Sequence, residues 1–234
     1  MSISTPRPPA PPQKRGLGCF GCGCLVLVIL VILFFALMGG AGYFGYKKAL
    51  GLTSTAPANL PAATTPDSTF QTTWQKLADF DHDLKDHQPA TIKLGADEIN
   101  AIIAREPNFA KNNVRALVTF TGDEGQIQAS VPTSLLAPSM MKLPQDRYFN
   151  VTTSFAVGFD SSTKGVTVTL HSLQCGDNVV FSSSSGNQQV VQLYANFLNQ
   201  SLNTQIRKDP DGALLLDQAK TVEIHNGQLV IETQ

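Results

Sequence analysis

Apolar and polar positions divide the chain into two unlike parts. From Leu25 to Tyr46 it reads LVLVILVILFFALMGGAGYFGY, 22 residues with neither a charge nor a proline. A helix rising about 1.5 Å per residue needs about 20 such residues to cross a hydrocarbon core of about 30 Å. Tyr43, Phe44 and Tyr46 lie where an interfacial aromatic belt sits, and Lys47-Lys48 stops the run. The uncharged stretch starts already at Gly16, which places a transmembrane anchor over residues 17–48 behind a proline-rich head at 1–16. A cleaved signal peptide carries a shorter apolar region, about 7–15 residues, followed by small residues. This run is longer and ends in aromatics and lysines, so it predicts an uncleaved anchor.

The pattern then changes. Residues 49–69 are dominated by Ala, Thr and Pro and have no apolar period, so they predict a spacer. Residues 70–234 read as one domain. Phe70, Trp74, Leu77 and Leu84 recur at helical spacing and predict a helix over Phe70–His87, capped by Ser68 or Thr69 and closed by Pro89. A short extended piece, Thr91–Leu94, leads to a second helix with Asp97 and Glu98 in its first turn and Ile99, Ile102 and Ile103 as its stripe. Four alternating runs follow, over 114–120, 127–131, 149–159 and 166–170. The clearest sets Phe149, Val151, Thr153, Phe155, Val157 and Phe159 on one face against Asn150, Thr152, Ser154, Ala156 and Gly158. Gln188–Arg207 is an amphipathic helix. Val190, Val191, Tyr194, Phe197, Leu198, Leu202 and Ile206 form its apolar face, with Asn196, Asn199, Gln200 and Asn203 opposite. Asn226-Gly227 between two alternating runs predicts a closing hairpin. The order implies an α+β domain, an antiparallel sheet with helices packed on one face.

Charge sharpens this division. The chain has 17 basic and 18 acidic residues; five basic and no acidic ones fall within the first 50, leaving 12 basic against 18 acidic beyond. No Lys/Arg cluster marks the domain, so no nucleic-acid partner is expected. The positive-inside rule favours a cytoplasmic N-terminus, since the head carries Arg7, Lys14 and Arg15 and only Lys47-Lys48 follow the span. The domain is then extracytoplasmic, on a single-pass protein of the inner or plasma membrane. Cys175 is the domain's one cysteine, so no internal disulfide can form and a hydrophobic core must hold the fold.

Candidate chemistry is thin. Asp79, Asp81, His82, Asp83, Asp86 and His87 include two His/Asp pairs at i,i+4. The pairs point in different directions without an identifiable third ligand, so they read as a solvated polar face. Cys175 with His171 and Asp177 suggests a nucleophile. However, residues four apart in a strand lie about 13 Å apart, and Cys175 reads as a buried cysteine. Cys19, Cys22 and Cys24 crowd the membrane face without a fourth metal ligand nearby. No phosphate loop, dinucleotide fingerprint or nucleophile elbow is present, and no cofactor or enzymatic activity is expected. Phe149, Phe155, Val157 and Phe159 read first as core. Under a groove left by the helices, they would be a face for a hydrophobic ligand.

The segment Ile92-Lys93-Leu94-Gly95-Ala96-Asp97-Glu98-Ile99-Asn100-Ala101-Ile102-Ile103, with the anchor and the late hairpin, resembles YpmS-like bacterial membrane-anchored proteins. Gly95 departs from the Ser/Thr usual there. The resemblance implies a bacterial envelope protein with a lipid-facing or partner-facing role. Three functions then stand against one another. The first is a non-catalytic envelope module that binds a lipid, another hydrophobic ligand or a protein partner. The second is a scaffolding protein with protein contacts alone. The third, ranked last because no acid-base constellation is present, is a hydrolase whose site the sequence does not reveal.

Overall fold

The computed structural model describes residues 51–60, 66–136, 146–182 and 188–234. The predicted anchor at 17–48, with Cys19, Cys22 and Cys24, lies outside the described residues. No described helix is long and apolar enough to cross a membrane.

The domain is α+β and its strands pair antiparallel in two sheets. In chain order the strands are β1 (Thr53–Ser54), β2 (Thr91–Gly95), β3 (Arg115–Thr121), β4 (Glu124–Pro132), β5 (Tyr148–Asp160), β6 (Gly165–Cys175), β7 (Asn178–Ser182), β8 (Ala219–His225) and β9 (Gln228–Thr233). The helices are α1 (Asp67–Lys85), α2 (Ala96–Arg105), α3 (Pro107–Lys111), α4 (Thr133–Leu136), α5 (Gln188–Lys208) and α6 (Pro210–Gln218). The larger sheet runs β3-β4-β5-β6-β7, with β1 also paired to β5. The smaller runs β2-β9-β8.

Helices packed over one sheet face are not the whole arrangement. The closing hairpin recruits β2 and becomes a second sheet, and β8 lies across β5. The hairpin forms because Asn226 and Gly227 both take positive φ, 51° and 75°, which matches the strand twist. Gly227 N–H then donates to the Gly122 carbonyl at 2.7 Å and pins this tip to the β3–β4 turn. At the crossing a Cβ on Gly125 would sit 3.0 Å from the Ile224 side chain of the other sheet, and 2.6 Å from Phe155, its own cross-strand partner on β5. The helices run α2-α1-α6-α5 from the β3 edge to the β6 edge.

Asparagine side chains cap the β3 edge at Val118 and the stretch of β6 that β7 leaves unpaired. Unpaired strand edges expose N–H and C=O groups that invite further pairing. On β3, Asn100 of α2 accepts from Val118 N–H at 2.8 Å and donates to Val118 C=O at 2.7 Å. On β6, Asn199 and Asn203 of α5 do the same for Val168 and Val166, with N–H to Oδ1 distances of 2.7 and 2.9 Å. A primary amide has the donor–acceptor pair of a peptide unit, so each stands in for a strand residue. The sequence placed Asn199 and Asn203 on a solvent face. They sit instead against the sheet edge, while Leu198, Leu202 and Ile206 enter the core. The role of Asn100 also explains part of the Glu98-Ile99-Asn100 segment: Glu98 accepts from Gly95 N–H at 2.8 Å and caps α2, and Asn100 ties α2 to the sheet.

The stretch read as a free spacer is partly packed. Thr53 and Ser54 pair with Phe149 and Tyr148. Arg147 holds Thr53 through its side-chain hydroxyl and its carbonyl. Ala58 N–H donates to Ser130 Oγ and to Asn150 Oδ1 at 3.2 and 3.0 Å. The domain therefore begins before residue 70, and α1 starts at Asp67, which pairs with Arg105.

Candidate functional site

The phenylalanine-rich face of β5 is occupied by the protein itself. Phe149 and Phe155 are 2% and 5% exposed. Val157 and Phe159 are partly buried and pack against the same core. Opposite them in the β6 register stand Val168 and Val166. These four side chains thus lie along one stripe of the core, from Phe149 opposite β1, past the β8 crossing at Phe155, to Phe159 opposite Val166.

His171 and Cys175 are separated by a β-bulge. Ser172 pairs with Ser154 but Leu170 pairs with Phe155, so His171 is the extra residue on β6. A bulge of one residue flips the side-chain phase. Val166, Val168 and Leu170 are buried before it, and Leu173 and Cys175 after it. Cys175 points into the core. His171 lies at the surface, with Nδ1 3.0 Å from Glu124. Burial pushes the Cys175 thiol up from 9.0 to about 11. Raised in the folded state, this pKa favours folding below pH ~9, and the contribution fades as pH climbs towards ~11. In full-length protein with Cys19, Cys22 and Cys24 replaced by serine, we expect no alkylation of Cys175 by iodoacetamide at pH 8. Reaction should appear on adding urea. Labelling at the same rate with and without urea would mean that the thiol is open to solvent.

The Asp/His cluster on α1 splits into separate structural contacts. Asp81 accepts from Lys85 at 2.8 Å, and Lys85 also reaches Asp211 of α6 at 3.2 Å. The hydrogen bond to Asp81 is the main cause of the raised Lys85 pKa. His87 Nδ1 lies 2.7 Å from Gln218 Nε2, which also donates to the Leu84 carbonyl. These groups dock the end of α1 onto α6. His82 and Asp86 form a loose, exposed pair at 3.6 Å. Among the described residues no three His, Cys, Asp or Glu side chains converge as metal ligands.

One concave feature was not visible in the sequence, because it joins two elements. Between α1 and β2 lies a groove of about 340 Å³. Phe80 and Ile92, both buried, line it together with exposed Lys76, Asp79, Asp83, Thr91 and Lys93. Lys76 also bridges to Glu98 of α2 at 2.6 Å. Among the described strands β2 pairs with β9 alone, so β2 is an edge strand beside this groove. A groove with an apolar floor, charges of both signs and a strand edge suits an extended polypeptide better than an acyl chain. Comparison with protein-family models, curated proteins and solved structures found no match to this chain.

Proposed function

We propose that the chain is a single-pass envelope protein whose extracytoplasmic domain binds a protein partner and carries out no catalysis. Residues 17–48 cross the inner or plasma membrane with the N-terminus in the cytoplasm. The observation that carries the partner reading is the α1–β2 groove beside an edge strand. Strand addition would give affinity through main-chain hydrogen bonds, and Lys76, Asp79, Asp83 and Lys93 would select the partner by charge. The tight-lipid reading is weakened because Phe149 and Phe155 already fill the core. A photoreactive residue at Lys93 of the full-length protein, in its own membrane, should yield a discrete protein adduct. The same residue at Ser161 should not, and Asp79→Lys with Asp83→Lys should abolish the adduct. If solvent extraction of the purified protein instead returns a stoichiometric lipid and Lys93 gives no protein adduct, the partner reading is wrong.

A further inference from the structure

The start of the domain lies at one end of the large sheet. Gly51 C=O accepts from Asn178 Nδ2 at 3.3 Å, beside the β6–β7 turn. Two residues on, β1 pairs with the first residues of β5. At the same end Pro132 of β4 lies opposite Tyr148, and Thr133 of α4 donates to the Arg147 carbonyl at 2.9 Å. Gly176 N–H donates to the Asn150 carbonyl at 2.7 Å. The β6–β7 turn, β1, α4 and the start of β5 therefore form a single pole.

Chain length ties this pole to the bilayer. Ala49 and Leu50 alone separate Lys48, the stop of the predicted span, from Gly51. Three residue steps reach at most about 10 Å even when fully extended. The polar layer on each side of the hydrocarbon core is about 5–8 Å deep. Gly51 is thus held at the outer boundary of the headgroups, and Asn178 beside it.

The side chains at this pole fit that surroundings. Val179 is 65% exposed and follows Asn178 directly; Leu135 of α4 is 45% exposed. Exposed large apolar side chains on both flanks of the tether point suit an interface where lipid replaces water. The third such residue, Phe197, adjoins Leu198 on α5, higher up the β6 edge. The pole also carries Asp146, Arg147 and Asp177, so charge attraction does not drive the contact. The opposite end, the β5–β6 turn at Ser161–Lys164, is polar and exposed. With 13 residues in β5, it stands about 40 Å away at about 3.3 Å per residue.

We propose that this pole rests on the bilayer the chain itself traverses, with Val179 and Leu135 in the headgroup layer and the β5–β6 turn farthest from it. The proposal rests on the anchor reading given above. The domain would then stand upright on the membrane, its sheet roughly along the membrane normal.

The test uses full-length protein in lipid bilayers, with Cys19, Cys22 and Cys24 replaced by serine. Val179→Cys, Leu135→Cys and Ser161→Cys are each labelled with an environment-sensitive fluorophore. Bilayers containing spin-labelled lipid should quench most of the fluorescence at positions 179 and 135 and leave position 161 unchanged. Each labelled protein must melt like its parent, which these exposed positions allow. Alkaline carbonate washing reports the anchor separately. Release of the chain by carbonate defeats both the anchor and the pole. Retention with no quenching at 179 and 135 defeats the pole alone, because the domain stands off the bilayer. Equal quenching at all three positions also defeats it, because the domain lies flat.

Discussion

Replacing Asn100 with leucine lowers the stability of the domain by about 3 kcal/mol, because two buried peptide groups lose their partners. Asn100 is 4% exposed and bonds both Val118 N–H and Val118 C=O. Leucine has nearly the same volume, and its apolar body adds to the Ile99, Ile102 and Ile103 stripe, so packing alone favours the change. The opposing cost is larger: an unpaired buried backbone group costs about 1–3 kcal/mol, and here there are two. The change should show in urea denaturation as a lower midpoint at unchanged slope. A loss below about 0.5 kcal/mol would mean that water reaches the β3 edge and replaces the amide.

Replacing Gly212 with alanine sets two principles against each other. Gly212 lies in α6, where alanine is the better helix former by about 1 kcal/mol. A Cβ built there sits 2.3 Å from the Ile206 carbonyl oxygen. That oxygen belongs to the last turn of α5 and also accepts from Asp209 N–H at 3.2 Å. A backbone atom fixed at a helix junction cannot rotate aside as a side-chain tip can, so α6 must move. Such overpacking costs about 1–3 kcal/mol or more, and the clash wins. We expect Gly212→Ala to lower the melting temperature and to loosen the Lys85–Asp211 contact that joins α1 to α6. A raised melting temperature would show that propensity had won.

Much of the domain could be read from residue order. The alternation over Phe149–Phe159, the Asn226-Gly227 hairpin and the helix from Gln188 lie within two residues of the observed elements. These signals are local: a strand with one face in the core must alternate, and an Asn-Gly turn needs no distant partner. What stayed hidden depends on distant contacts. Thr53–Ser54 is too short to carry a period, and it becomes a strand only because β5 offers an open edge where β6 has ended. Asn199 and Asn203 look the same in sequence whether they meet water or a strand edge. The bulge at His171 breaks the alternation of β6, which a four-residue spacing cannot reveal, and leaves Cys175 in the core with His171 outside. The groove escaped notice for the same reason, since Asp79 and Asp83 come from a helix and Lys93 from a strand.

The two-residue strand β1 also determines how the molecule bears load. A pull on the chain ahead of Gly51 reaches the domain first through β1, its Arg147 clasp and the Ala58 bonds. These few contacts shear long before the 13-residue β5 or its long pairing with β6 does. Between β1 and α1 the sequence places the 12 residues from Thr55 to Pro66, a contour of about 40 Å at about 3.3–3.6 Å per residue. This short strand is thus the first described pairing that tension on this end of the domain would load.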